Sequence, residues 1–498
     1  MTSVLAVDLG GSGLKAALVT ADGRIGALRR VPIALEAKPS GACEADPETW
    51  WQALLTALDG LQGDGADLDG VSAVAICGFT RTQVFLDADL RVVRPAIAFT
   101  DSRPCSAFDQ RLARAEDFDP ALLPHLTPFH PLSRLVWVMH NEPEAWNETR
   151  TILEPKDYLN LKLTGMACSD PVSQHWLTGA FTEDSDGSCL AARFGIDRDV
   201  RPEMRQPVDA VGSIRPGLAG ALSRLAGRPV FCGSNDAWTG AVAIGALGHR
   251  RGYNISGTSE VFGLVADRPA EAEGLISMQW ADGLWQLGGP SQGGASVLSW
   301  AIDRFRPDAD AGTLLECLVS VSRRPPVFLP YLNGERTPFW ERDLRAAFVG
   351  LHADHDTGDM IRAAAESVCF LNRLVLDRAE TALGLSATEI RFAGGAAGNP
   401  AWAQLKADVL NRPVIVSAVP EAGLIGGLLV ALSGLAGDAA LGDRADRLCA
   451  ERARFEPDAG RRGALEERYH LFLQAHAALP AVSAGVAAHV RAGFPEAR

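Results

Sequence analysis

The sequence predicts an α/β protein folded as two domains. Three observations predict it. The chain has 498 residues, more than one ordinary hydrophobic core organises, so two domains are expected, with room for a small third element. Short apolar runs suited to buried strands alternate with longer segments of helical spacing. A unit of strand, small-residue turn and returning strand stands near the start of each half.

The first unit begins with Val4 to Val7, an apolar run ending at Asp8 and followed by Gly10-Gly11-Ser12-Gly13. Lys15 to Thr20 is short and apolar, and Ala21-Asp22-Gly23-Arg24 carries the Asp-Gly signal of a hairpin before a further strand from Ile25. The glycine loop therefore joins strand to strand. A Walker A loop and a dinucleotide-binding fingerprint both lead into a helix, and neither spacing is present. In the second half Gly252 to Ser256 reads as a strand, Gly257-Thr258-Ser259 as a turn and Val261 to Val265 as the returning strand. Two such units suggest a duplicated architecture.

Between them Pro47 to Leu61 reads as a helix with Trp51, Leu54, Leu55 and Leu58 on one face, and Val71 to Ile76 as a buried strand. Ala237 to Ala246 and Ile425 to Leu435 read as small-residue helices, and Asp359 to Leu383 as a long one. Gly245, Gly248 and Gly252 interrupt the pattern. The expected domains are residues 1–246, residues 247–440 and a helical, peripheral extension over residues 441–498.

A hydrophobic fraction of 47% and a charged fraction of 22% suit a globular chain with a large core. The net charge of −14, from 47 basic and 61 acidic residues, argues against general affinity for nucleic acid or anionic membrane. It leaves room for a local basic pocket that takes one phosphate-bearing ligand. Nine cysteines without CxxC pairs suit reduced thiols in a cytosol. The N-terminal apolar run lacks a preceding basic region and reads as a strand rather than a signal peptide. No stretch approaches the ~18 apolar residues of a membrane helix. A cytoplasmic protein is expected.

Four motifs carry chemistry. In Asp8 to Lys15 the glycines let backbone N–H groups approach a phosphate, and a carboxylate at the strand end can hold Mg2+ through water. The same residues suit a capped hairpin, and Lys15 a solvated surface charge. Gly257-Thr258-Ser259 offers backbone donors and two hydroxyls, or is a plain turn. In Gly233 to Ala241, Asp236 stands at a helix start, either as an N-cap or as a base that takes a proton from a substrate hydroxyl. Ala393 to Pro400 gives a flat ligand access to a glycine-rich backbone, or is a strand-to-helix turn closed by Asn399-Pro400.

These pieces, in this order, resemble the FGGY family of carbohydrate kinases, and its xylulokinase branch in particular. The likeness runs over roughly residues 3 to 435. Further matches are Asp46 to Trp51, Leu86 to Asp89, Arg94 to Ile97, Asp101-Ser102-Arg103, Pro155 to Leu159, Phe328 to Pro338 and Phe348 to Leu351. The resemblance implies two actin-like (ribonuclease H-like) domains around a central cleft that holds ATP. It implies Asp236 as general base and Asp8 as a partner of Mg2+. Gly11, Ser12 and Lys15 would sit on one phosphate loop, with Gly257, Thr258 and Ser259 on the other. Gly394, Gly395 and Asn399 would border adenine and ribose. Thr80, Arg81, Asp101 and Asp236 would face the sugar. A homodimer is common among such relatives.

The sugar side departs from the xylulokinase pattern. Phe79-Thr80-Arg81 stands where Gln-Met-His is usual, Phe99-Thr100-Asp101 where Trp-Asn-Asp is usual, Ser173-Gln174-His175-Trp176 where small residues are, and Gly11 where Thr is common. Arg81 reads either as a fork for substrate oxygens, a carboxylate included, or as an ion-pair partner of Asp101. His175 and Trp176 read as core or as a platform for the sugar. The expected reaction is ATP-dependent phosphorylation of a small sugar or polyol. A ketopentose such as xylulose comes first, then erythritol, glycerol, ribulose or gluconate. A non-catalytic nucleotide-binding relative and an NAD-dependent dehydrogenase are the competing readings. The two aspartates and the strand after the loop argue against them.

Overall fold

Burial of continuous apolar strands sets the frame. In the computed structural model Val4 to Val7 and Ala73 to Ile76 are almost fully buried, as strands covered on both faces must be. The structure describes residues 2–35, 38, 40–101, 103, 105–113, 126–127, 130–183, 187–308, 318, 324–341, 343–438, 440–449, 451–479, 482–483, 485–486 and 489.

In chain order the main elements are β1 (Ser3–Gly10), β2 (Gly13–Thr20), β3 (Ile25–Pro32), α1 (Pro47–Gly63), β4 (Val71–Gly78), α2 (Pro131–Asn141), α3 (Pro155–Thr164), β5 (Ala210–Ser213), β6 (Pro229–Phe231) and α4 (Asp236–Ala243). There follow β7 (Arg251–Ser256), β8 (Glu260–Ala266), β9 (Ile276–Ala281), β10 (Leu284–Pro290), α5 (Ala295–Phe305), α6 (Thr357–Leu383), β11 (Glu389–Ala393), α7 (Pro400–Leu410), β12 (Val414–Ser417), α8 (Ala422–Ala436), β13 (Glu451–Phe455) and α9 (Arg462–Ala478).

Local chemistry explains the ends. Asp46 caps α1 by accepting the Glu48 N–H, with Pro47 in the first turn. Asp356 and Asp359 form a capping box on α6, which ends at left-handed Gly384. Gly23, at φ +82°, turns β2 into β3 at the predicted Asp-Gly.

The chain forms two compact units, Met1–Ala243 with Pro420–Leu448, and Ile244–Val419 with Cys449–Arg498. The first holds a six-stranded sheet in the order β5-β6-β4-β1-β2-β3, and the second a seven-stranded sheet in the order β9-β10-β8-β7-β11-β12-β13. The centres of the two sheets repeat. An antiparallel hairpin (β1–β2, β7–β8) has its first strand parallel to a later strand (β4, β11), which is parallel to another (β6, β12). An antiparallel edge strand closes each (β5, β13). The duplication inferred from two hairpins is thus a repeat of whole sheets.

The chain is partitioned differently from the sequence expectation at two places. Residues 420–448 pack with the first unit, because α8 lays its glycine face on α4 and β1. A Cβ on Gly426 would stand 2.2 Å from the Thr239 carbonyl oxygen, and one on Gly427 lies 3.5 Å from the Ala6 Cβ. The segment after it is not a peripheral helical extension. Its strand β13 completes the second sheet, and α9 buries Leu465, Tyr469 and Phe472 in the core with Phe370. Alternation in β13 and aromatic spacing in α9 carry these roles, and both were hidden in an Ala- and Arg-rich composition.

A buried polar triad ties the second unit together at the start of β8. Lys406 donates to Glu260 at 3.1 Å and to Asn372 at 2.5 Å, and Asn372 donates to Glu260 at 2.9 Å. All three side chains are sealed from solvent, so each one's charge or dipole is matched by the others. Lys406→Met is expected to lower stability by roughly 3–5 kcal/mol, and the double change Lys406→Met with Glu260→Gln to recover more than half of it. Urea denaturation of the full chain checks both.

Candidate functional site

The parallel and antiparallel neighbours of β1 decide what surrounds Asp8. Register places Lys15 opposite it on β2 and Cys77 opposite it on β4. The Cys77 thiol donates to Asp8 Oδ1 at 3.6 Å, and Lys15 Nζ lies 3.8 Å from Oδ2. Burial raises the Asp8 pKa above the usual carboxylate value, against the pull of Lys15. Burial, with the charges of Asp8 and Asp236, pushes the Cys77 thiol well up, so it stays protonated and donates. Gly423, near the start of α8, completes the wall. A Cβ there would lie 2.7 Å from the Asp8 carboxyl carbon.

Lys15 is not on the glycine loop but within β2, and its ammonium is committed. It pairs with Glu421 at 2.8 Å, which Arg30 also reaches at 2.5 Å. Glu421 lies far off in sequence and only the return of the chain at α8 brings it there. Gly11 and Ser12 form the two-residue tip between β1 and β2, with Ser12 exposed.

Asp236 opens α4, but the capping is done by its neighbour. Asn235 Oδ1 accepts the Trp238 N–H at 2.9 Å, while Asp236 Oδ1 accepts the Ala237 N–H at 2.7 Å. That leaves Asp236 Oδ2 without a hydrogen bond among the described residues. Its surface is open to solvent, yet protein is packed around it. This crowding first, and the negative charge of Asp8 second, push its pKa up to about 6. Two carboxylates near enough to repel, one with an open oxygen and a pKa near neutrality, suit a proton acceptor beside a cation or phosphate site.

A buried knot holds this loop. Lys156 on α3 bonds Asp157 and lies 3.0 Å from Asp170 Oδ2. Asp170 Oδ1 accepts from Ser234 Oγ at 2.7 Å and from the Ser173 and Val172 amides at 2.9 and 3.1 Å. Asp170 thereby fastens the loop before α4 to the loop at 171–174. Lys156 and Asp157 fall within a family-like motif of the sequence, whereas Asp170 has no motif of its own.

Arg81 and Asp101 do not form an ion pair. Asp101 is buried and occupied, with Cys43 N–H at 2.8 Å and Arg103 guanidinium at 2.9 Å. Its carboxylate is a structural anchor rather than an open substrate contact. Ser102 lies outside the described residues. Thr80 donates to the Ser173 carbonyl at 3.3 Å. Arg81 adopts φ +57°, its N–H donates to Glu154 at 3.0 Å and its carbonyl accepts from Arg134 at 2.6 Å. Its guanidinium has neither a hydrogen bond nor an ion pair among the described residues. His175 and Trp176 are half-buried and pack edge to face, with His130 on the other side of Trp176.

In the second unit Gly257 and Thr258 are exposed at the β7–β8 turn. Their carbonyls accept from Ala295 and Ser296 at 3.0 and 3.2 Å, which fixes the turn on the N-terminus of α5. A recess of about 660 Å³ lies against Thr258, walled by Ser296, Ser299, Trp300, Asp303 and Arg304. Gly394, at φ +95°, comes so close to β7 that a Cβ would sit 2.1 Å from the Ser256 carbonyl oxygen. Gly395 is open. The Asn399 side chain caps α7, accepting from Ala401 at 3.0 Å and Trp402 at 3.3 Å, so its oxygen is spent on the helix. No cluster of three or more metal-ligating side chains occurs among the described residues, and no helix among them is long and apolar enough to cross a membrane.

Comparison with known proteins adds a family. The model of the FGGY family of carbohydrate kinases, N-terminal domain, matches residues 3–243, and that of its C-terminal domain matches residues 252–435. A xylulose kinase of Escherichia coli is 30% identical over 419 residues, 82% of this chain and 85% of the relative. A gluconokinase of Bacillus subtilis is 24% identical over 452 residues, 87% of this chain and 88% of the relative. The crystal structure of a xylulose kinase from Rhodospirillum rubrum, 24% identical, superposes with a TM-score of 0.84 over 97% of this chain and 99% of that one.

Alanine at 423 would ordinarily favour a helix over glycine. Here Gly423→Ala is expected to push the Asp8 carboxylate off Cys77 and lower stability by roughly 1–3 kcal/mol. Thermal unfolding reads the loss, and a crystal structure of the variant reads the displaced carboxylate.

Proposed function

Because the chain belongs to the FGGY family of carbohydrate kinases, and is thus an ATP-dependent carbohydrate kinase, we propose that it moves the γ-phosphoryl group of ATP to a hydroxyl activated by Asp236. The observation that carries this reading is the open Oδ2 of Asp236 on a loop braced by Asp170, with Asp8 near enough to raise its pKa. The acceptor is a small sugar or polyol. A ketopentose such as xylulose comes first, in keeping with the E. coli relative, and gluconate, glycerol, ribulose and erythritol follow.

In the reaction the acceptor hydroxyl lies against Asp236, gives its proton to Oδ2 and attacks the γ-phosphorus. Little covalent help is needed from protein, so positioning and electrostatics supply most of the rate. Backbone N–H groups at Gly11 and Ser12, and at Thr258 and Ser259, serve phosphate oxygens, while the Gly257 N–H donates to the Ser259 carbonyl at 2.9 Å and shapes the turn. Gly394 and Gly395 leave the backbone open to the nucleoside. Lys15 acts through Glu421 and Asp8 rather than as a loop residue.

Mg2+ fits Asp8 by donor chemistry. It is a hard cation that keeps most of its waters, and a single partly exposed carboxylate with a second one nearby is enough to hold it through them. When bound, Mg2+ neutralises phosphate charge. The reading puts the enzyme in the cytoplasm, where ATP is made and thiols stay reduced. The described cysteines are free.

Asp236→Asn is expected to cut kcat by roughly 100- to 10,000-fold while leaving ATP binding in place, measured by coupled ADP release and by calorimetry. Unchanged turnover would remove Asp236 from the reaction. Since the base must be deprotonated and Asp236 titrates at about 6, kcat/KM should fall as pH drops through about 6, with a limiting slope of one, and stay level just above it. Initial rates across pH read this directly.

A further inference from the structure

Arg81 is an arginine whose backbone is pinned and whose charge is not. Its peptide groups are held on both sides, the N–H by Glu154 and the carbonyl by Arg134, and the next amide, of Thr82, is held by the other oxygen of Glu154 at 3.2 Å. These bonds keep a non-glycine residue in the left-handed region at φ +57°, which costs energy that surrounding structure must supply. Of the carboxylates around it, Glu154 holds the two amides, Asp101 holds Arg103 and Cys43, and Asp236 attracts it without forming an ion pair. The half-buried guanidinium has no ion pair and no hydrogen bond among the described residues. Its donors are therefore available to an anion from solution.

Asp8 repels and Arg81 attracts the Asp236 carboxylate, and Asp236 in turn attracts Arg81 without forming an ion pair with it among the described residues. With the acceptor hydroxyl at Asp236, Arg81 lies within electrostatic reach of the acceptor.

Resting on the reading that Asp236 activates the acceptor hydroxyl, we propose that Arg81 binds a carboxylate on the acceptor, so that sugar acids are among the acceptors this kinase phosphorylates. One oxygen of the acid bonds to phosphorus as the bond from the γ-phosphorus to the bridging oxygen of ADP breaks. The hydroxyl proton passes to Asp236, and the carboxylate is unchanged on the guanidinium fork. A carboxylate fits better than a second phosphate. One guanidinium matches it bidentately, while the nearby Arg134 is committed to the carbonyls of Arg81 and Phe99.

The test uses the full chain with ATP and Mg2+. Coupled ADP release is measured with gluconate and xylonate beside xylulose and glycerol, for the parent, Arg81→Asn and Arg81→Lys. Asparagine tolerates the left-handed backbone, and melting curves confirm that each variant is folded. Expected are turnover of the acids by the parent and a ratio of acid to neutral kcat/KM roughly 10- to 100-fold lower in Arg81→Asn. The change should fall mainly on KM, with Arg81→Lys between the two. Calorimetry without ATP should show gluconate bound by the parent and lost in Arg81→Asn. Turnover of neutral acceptors with none of the acids, or an equal fall for both classes in Arg81→Asn, overturns the proposal while the kinase reading stands. Turnover of no acceptor at all overturns both.

Discussion

Two carboxylates brought near each other in a poorly solvated place are the constraint on which the first unit is built. Burial raises the cost of ionising both Asp8 and Asp236, the charge of Asp8 adds to that of Asp236, and Glu421 adds to that of Asp8. A fold does not hold such a pair without fixed supports. Here Asp8 is held by the thiol of Cys77 and the approach of Gly423, and Asp236 by the Ala237 amide and the Asp170 knot behind its loop. The repulsion that remains keeps the Asp236 carboxyl poised near neutrality.

The second unit uses the same sheet for a different task. Its hairpin turn, Gly257 to Ser259, carries no carboxylate. It presents exposed backbone and a hydroxyl, while the acid that follows, Glu260, points inward to Lys406 and Asn372. Duplicated frames thus diverge by where the acid falls relative to the bend. Before it, at the strand end, it faces outward as Asp8. After it, the acid is buried and becomes scaffold.

Much of the site was legible because its chemistry is local. A glycine pair between Asp8 and Lys15 and an aspartate after Asn235 are marked by spacing within a few residues. Where the motifs fell short, a competing partner decided the outcome, far along the chain in some cases and a few residues away in others. Lys15 read as a loop cation, and its partner Glu421 arrives from the other end of the chain. Asp101 read as a sugar contact, yet Cys43 and Arg103 consume its oxygens. Asn399 read as a border of the nucleoside, and its own helix takes its side-chain oxygen.

The two hairpins, the main helices and the four motifs are written in the sequence alone, because hydrogen bonding and apolar periodicity act over short stretches of chain. Tertiary packing settles that residues 420–448 return to the first unit, that β13 and α9 complete the second, and that the Arg81 guanidinium has no hydrogen bond or ion pair among the described residues. Each of those depends on which surfaces meet. Glycines on α8 permit a close approach to β1 and α4, and ion pairs form with whichever charge the packing delivers. Local patterning proposes an element, and the desolvation cost of an unmatched charge or an uncovered apolar face determines where it settles.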